Sequence, residues 1–178
     1  GIPTSLDGEI LDGVTLVQRI HELAGEHSVG RIDHIENRLV GIKSREIYEA
    51  PAAVVLLKAH QALEELVLTK EQLRFKSKVA SEYADLIYNG LWFTGLRQDL
   101  AAYVESSQRY VTGSVRVKLS KGNCHIVGRK SPYSLYDYSL ATYDKGDAFD
   151  QSASPGFIHI WGLPVRTQAK VQHLKPPQ

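Results

Sequence analysis

The sequence predicts an α+β fold in which helices pack on antiparallel strands, with a β-hairpin near residues 114–128 and a C-terminal arm. Three observations carry this. Apolar residues recur at helical spacing in several long segments. From Ser114 to Ser120, Val115, Val117 and Leu119 alternate with Arg116 and Lys118, and Lys121-Gly122 supplies a turn before Asn123–Gly128 returns as the partner strand. Helices alongside a hairpin imply antiparallel pairing rather than a parallel sheet with crossovers.

In chain order, Asp12 is placed to cap a helix along which Leu16, Val17, Ile20, Leu23 and Ala24 form one face, with Gly25 as its stop. Residues 30–48 read as two short strands or one bent one, interrupted near Asn37-Arg38. Pro51 opens the next helix, because its missing N–H would be unpaired in a first turn anyway. Val55, Ala59, Ala62 and Leu66, flanked by Leu56, Leu63 and Val67, make a wide apolar face and predict a well-buried helix. Thr69 to Gln72 reads as a capping box for a third helix carrying Leu73, Ala80, Ala84 and Ile87, ended by Gly90. A fourth helix is expected from Leu96 to Tyr110.

After Arg129 the chain turns rich in turn formers, with Pro132, several tyrosines, Gly146 and Pro155, and residues 156–161 form a short apolar segment compatible with more than one state. From Pro164 the sequence is polar and basic. It predicts an arm that needs a partner to bury Val165, Val171 and Leu174.

Composition narrows the function. The 178 residues suffice for one domain with a true core. A formal net charge of +1 supplies no field to recruit nucleic acid or an anionic membrane. Apolar runs such as Val54–Leu57 fall far short of the roughly 20 residues a membrane helix needs. A single cysteine, Cys124, cannot form an internal disulfide and fits a reducing compartment, so a cytoplasmic protein is expected. The absence of methionine and the Gly-Ile-Pro-Thr opening suggest that the natural start lies upstream.

Familiar catalytic signatures do not occur: neither a G-x-x-x-x-G-K-[ST] loop, nor G-x-G-x-x-G, G-x-S-x-G or H-E-x-x-H. The seven histidines lack metal-ligand spacing to one another or to Cys124, so they read as surface or core-edge residues and no metal site is expected. Arg116, Lys118, Lys121, Arg129 and Lys130 converge on the hairpin near Tyr133, Tyr136 and Tyr138. The solvated face of a half-buried hairpin explains them more simply than a nucleic-acid surface.

Residues 30–51 differ. Asp33, Glu36, Asn37, Arg38, Lys43, Ser44, Arg45, Glu46, Tyr48 and Glu49 are packed among apolar residues able to anchor the backbone. Two readings are open: a site for a small polar ligand, or a salt-bridged edge strand.

The pattern Glu36-Asn37-Arg38-x-Val40-Gly41-x-Lys43-Ser44-Arg45, then Tyr48-Glu49-x-Pro51 and Ala59-His60, resembles the argininosuccinate synthase family. The likeness continues through residues 83–92 (Tyr-Ala-Asp-Leu-Ile-Tyr-Asn-Gly-Leu-Trp), Val111-Thr112-Gly113, Lys121-Gly122-Asn123, Gly128-Arg129-Lys130-Ser131-Pro132, Ser134-Leu135-Tyr136 and Gly156-Phe157-Ile158. Several separate motifs in the family's order make a strong signal.

The resemblance implies a cytoplasmic ligase of arginine biosynthesis that joins citrulline to aspartate. The ureido oxygen of citrulline attacks the α-phosphate of ATP and expels pyrophosphate; the aspartate amine then displaces AMP. It implies that Glu36 and Tyr48 contact citrulline, that Arg38, Lys43, Ser44 and Arg45 line the cleft or order the segment, and that no residue here is a nucleophile or general base. Residues 1–163 would be the C-terminal catalytic and multimerisation domain, and 164–178 an oligomerisation arm of a homotetramer. ATP with Mg2+ would be bound mainly by an N-terminal nucleotide-binding domain absent from this chain, which alone would need no cofactor and catalyse nothing. The other expectation is a folding and oligomerisation module without substrate affinity of its own.

Overall fold

A computed structural model of the chain describes residues 1–142, 148 and 150–173. Its contacts separate two units, Gly1–Tyr136 and Asp137–Gln178.

The first unit begins with a minimal antiparallel pair, β1 (Ser5–Leu6) and β2 (Glu9–Ile10), ahead of helix α1 (Gly13–Glu26). The Asp12 carboxylate accepts from the Val14 and Thr15 amides at 3.0 and 3.1 Å, as its N-cap role requires. Gly25 does not stop the helix. The chain runs on to Glu26, and Ser28 takes the left-handed conformation (φ 59°). The Val29 amide donates to the Ala24 carbonyl and the Ser28 amide to that of Gly25, a Schellman closure without glycine. Burial of Val29 and Ala24 in the same core offsets the strain.

The ribbon β3 (Arg31–Asn37) and β4 (Lys43–Glu49) follows, two true strands rather than one bent one. Pro51 opens α2 (Pro51–Val67), and Thr69 and Gln72 exchange both hydrogen bonds of a capping box at the head of α3 (Lys70–Tyr88). Gly90, with φ 71°, closes α3: its amide reaches the Ile87 carbonyl and that of Leu91 reaches Leu86. The residues α3 buries are Val79 and Leu86, whereas Ala80, Ala84 and Ile87 are exposed.

Helix α4 spans Gly95–Ser107, capped by Thr94, and ends short of the expected Tyr110. Its chain breaks away so that Val111, 1% exposed, enters a core with Val67 and Leu68. Strands β5 (Ser114–Ser120) and β6 (Asn123–Lys130) form the expected hairpin, with a register shift at Arg116/Val117. Lys121 and Gly122 both carry positive φ at its turn, and the Gly122 amide donates to the His27 carbonyl, tying the tip to the end of α1. The larger core lies where α1, α2 and this hairpin meet: Leu16, Ile20, Ala24, Val29, Ala52, Val55 and Cys124.

The second unit contains the short helix α5 (Tyr138–Ala141), a 3₁₀ turn at Gln151–Ala153, α6 (Ser154–Trp161) and α7 (Leu163–Val171). The apolar segment of unsettled state is thus helical, entered through Pro155 in its first turn. Helix α7 leaves Val165 and Val171 exposed, and Phe157, Ile158, Ile160 and Trp161 of α6 are exposed as well. Gly146 and Leu174 lie outside the described residues.

Candidate functional site

Pairing in the β3–β4 ribbon decides which polar side chains can act together. Ile32 stands opposite Tyr48, His34 opposite Glu46 and Glu36 opposite Ser44, so these six residues share one face. The other face carries Asp33, Ile35, Lys43, Arg45 and Ile47. Of the residues singled out from sequence, Glu36, Tyr48 and Ser44 are therefore brought together. Lys43 and Arg45 are not: Arg45 instead forks onto Asp33, with bonds of 2.9 and 2.7 Å that hold the Asp33 carboxyl below its ordinary range.

Arg38 rejoins the first group from the turn. That turn is closed by the Arg38 amide on the Ile42 carbonyl and the Gly41 amide on the Arg38 carbonyl, with Gly41 at φ 83°. Its guanidinium lies 2.5 Å from Glu46 and 3.7 Å from Glu36. The Tyr48 hydroxyl donates to Glu36 at 3.4 Å, and His34 Nε2 lies 3.6 Å from the same carboxylate. His34 and Tyr48 also meet edge to face, with centroids 5.4 Å apart. Desolvation, followed by the negative charges of Glu36 and Glu46, pushes the Tyr48 phenol up, so it stays a neutral donor at physiological pH. The Ser44 hydroxyl is buried without a hydrogen-bond partner among the described residues.

Two features anchor the ribbon. The Ala50 amide donates to the Gly30 carbonyl at 2.8 Å, and Gly30, with φ 97°, lies so close to Pro51 that a Cβ would fall 2.4 Å from the Pro51 Cα. Near the ribbon's tip, the Tyr88 hydroxyl of α3 donates to the Asn37 carbonyl at 3.1 Å.

Sequence reasoning named Glu46 only among the dense polar side chains of residues 30–51, without placing it on this face, and passed over His34. Two-residue alternation applied to both strands would have found them, once the pairing register was known. It also missed Glu64, which α2 buries to 5% exposure. His60 Nε2, Lys76 Nζ and Gln108 Nε2 surround its carboxylate at 3.0, 3.0 and 2.8 Å. Burial alone would raise its pKa, but the hydrogen bonds from His60, Lys76 and Gln108 prevail and lower it to about 2.

The basic hairpin residues do not form one surface. Arg129 reaches back to α2 while staying partly exposed, its guanidinium 3.3 Å from the Ala62 carbonyl and 3.1 Å from Glu65, and Arg116 and Lys118 are exposed as well. Beside Arg129 an open cleft of about 740 Å³ is lined by Glu65, Leu66, Lys130, Ser131, Leu135 and Tyr136. Cys124 is buried, which raises its thiol pKa against a smaller opposing pull from Lys58, and such a thiol is a poor nucleophile. Among the described residues no three His, Cys, Asp or Glu side chains are grouped so that they could hold a metal ion. No described helix is long and apolar enough to cross a membrane.

Comparison with known proteins agrees with the motifs. The family model of the arginosuccinate synthase C-terminal domain matches residues 1–168. The chain is 64% identical over 172 residues to an argininosuccinate synthase of Dehalococcoides mccartyi, covering 97% of this chain and 42% of that protein. It is 58% identical over 175 residues to one from Symbiobacterium thermophilum, covering 98% and 44%. For one from Rubrobacter xylanophilus the identity is 59% over 171 residues, covering 96% and 42%. The chain thus spans less than half the length of these curated relatives. With the motifs of the β3–β4 ribbon and a family match over nearly its whole length, the chain belongs to the argininosuccinate synthase family, as the C-terminal domain of such a protein.

Proposed function

We propose that this chain is the C-terminal part of an ATP-dependent ligase that makes argininosuccinate from citrulline and aspartate, and that Glu36 and Tyr48 hold citrulline. The observation that carries the reading is the shared ribbon face on which the Tyr48 hydroxyl meets the Glu36 carboxylate. A carboxylate suits the α-ammonium group of an amino acid, and a neutral phenol can donate and accept beside it. Neither residue takes part in bond making; both position the substrate so that its ureido oxygen can attack the α-phosphate of ATP. The phosphates of ATP, and Mg2+ with them, would be held mainly outside this chain, whose sequence carries no phosphate-cradling glycine loop.

A second reading, that the chain serves folding and oligomerisation, is favoured by the exposed Phe157, Ile158, Ile160 and Trp161. The two roles are compatible in a homotetrameric cytoplasmic enzyme. Mixing this chain with a separately produced nucleotide-binding half separates them. Restored argininosuccinate formation supports the citrulline-site reading, and association without activity supports the module alone.

A further inference from the structure

Glu36 can receive a substrate ammonium group only if its charge is not already taken by the nearby arginine. Both carboxylates of the ribbon face, Glu36 and Glu46, lie within ion-pair distance of the single guanidinium of Arg38. The sharing is unequal. Arg38 Nη2 is 2.5 Å from Glu46, whereas Nη1 is 3.7 Å from Glu36, beyond hydrogen-bond length. The other neighbours of Glu36 are also long, at 3.4 Å from the Tyr48 hydroxyl and 3.6 Å from His34. Two acidic charges against one fixed basic charge leave one negative charge in excess. The bond lengths place that excess on Glu36, whose side chain is only 22% exposed.

We propose that Glu46 is a positioning residue for substrate binding: by clamping Arg38 from the opposite strand, it keeps Glu36 unneutralised for an incoming α-ammonium group. The inference rests on the reading of Glu36 as a citrulline contact and deepens it. With Glu46 neutral, Arg38 has one carboxylate left within reach and closes onto Glu36, so the substrate must displace an internal cation.

Steady-state kinetics of the full-length protein at pH 8 test this. Glu46→Gln is expected to raise the KM for citrulline about two- to five-fold with little change in kcat, the signature of a binding rather than a chemical loss. Arg38→Gln should lower that KM, and the Arg38→Gln/Glu46→Gln double variant should return it toward the parent value. Asp33→Asn, which removes the same charge from the opposite face, controls for long-range electrostatics and should not reproduce the effect. A double variant as impaired as Glu46→Gln, a raised KM in Arg38→Gln, or an equal rise in Asp33→Asn would overturn the proposal. If Glu36→Gln raises KM while Glu46→Gln does not, the citrulline reading stands and this inference fails. If Glu36→Gln itself has no effect, the underlying reading fails.

Discussion

Tyr48 and Glu36 sit on opposite strands of one ribbon, 12 residues apart in sequence, and meet through a 3.4 Å hydrogen bond from the phenol to the carboxylate. The two are offset by two cross-strand pairs on this face, since Tyr48 stands opposite Ile32, Glu36 opposite Ser44, and His34–Glu46 lies between, so the contact depends on the length of the tyrosine side chain. Tyr48→Phe removes one neutral donor and leaves the ring against His34. In the full-length protein it should raise the KM for citrulline by roughly two- to twelve-fold, the equivalent of about 0.5–1.5 kcal/mol, without a matching loss of kcat. Citrulline titrations of initial rate check this.

Ribbon anchorage makes a stability prediction at Gly30. An added methyl group must move the Pro51 backbone at the head of α2 and also accept φ 97°. Gly30→Ala should therefore cost about 2–4 kcal/mol, combining overpacking with backbone strain. Urea unfolding of the isolated chain measures it. A cost below about 0.5 kcal/mol, the level of an ordinary surface substitution, would show that the ribbon is not held in this way.

The buried carboxylate of Glu64 links stability to pH. Its folded pKa of about 2 lies below the ordinary value of 4.5, so the folded state favours its charged form. The stabilisation is present above about pH 4.5 and is lost as pH falls toward 2. Glu64→Gln should destabilise the chain at pH 7 by about 1–3 kcal/mol, as expected when a charged acceptor of several hydrogen bonds is lost. The difference from the parent should shrink between pH 4.5 and 2. Chemical denaturation at a series of pH values provides both curves, and a constant offset would contradict the assignment.

At the centre of the larger core, Leu16 is fully buried between α1, α2 and the β5–β6 hairpin. Leu16→Ala should cost about 2–5 kcal/mol, from lost burial and the cavity left behind. A thermal melt of the variant beside the parent shows the effect as a lowered Tm.

Much of this architecture was legible because its signals are local. The Asp12 cap, the Thr69–Gln72 capping box, Pro51 at a helix start and Lys121-Gly122 at a hairpin turn each act over a few residues. What escaped depends on partners distant in sequence. Ser28 tolerates a left-handed backbone because Val29 is buried, and α4 ends early because Val111 joins Val67 and Leu68. Neither cause is visible in the helix itself.

The same division holds at the site. Glu36, Arg38, Ser44 and Tyr48 could be named from a motif, but their separation from Lys43 and Arg45 follows from strand register, which a sequence states only indirectly. Glu64 was hidden for a similar reason. A glutamate on an apolar helix reads as solvent-facing until Lys76 and Gln108, from elsewhere in the chain, are seen to enclose it.

In the proposed function Glu36 is the residue that holds the substrate ammonium group. Its most direct test is the citrulline dependence of argininosuccinate formation by full-length Glu36→Gln. The predicted result is a KM for citrulline raised about ten-fold or more with kcat near the parent value, as expected when a charge-assisted contact to substrate is lost. An unchanged KM, or a fall in kcat with citrulline affinity intact, would contradict it.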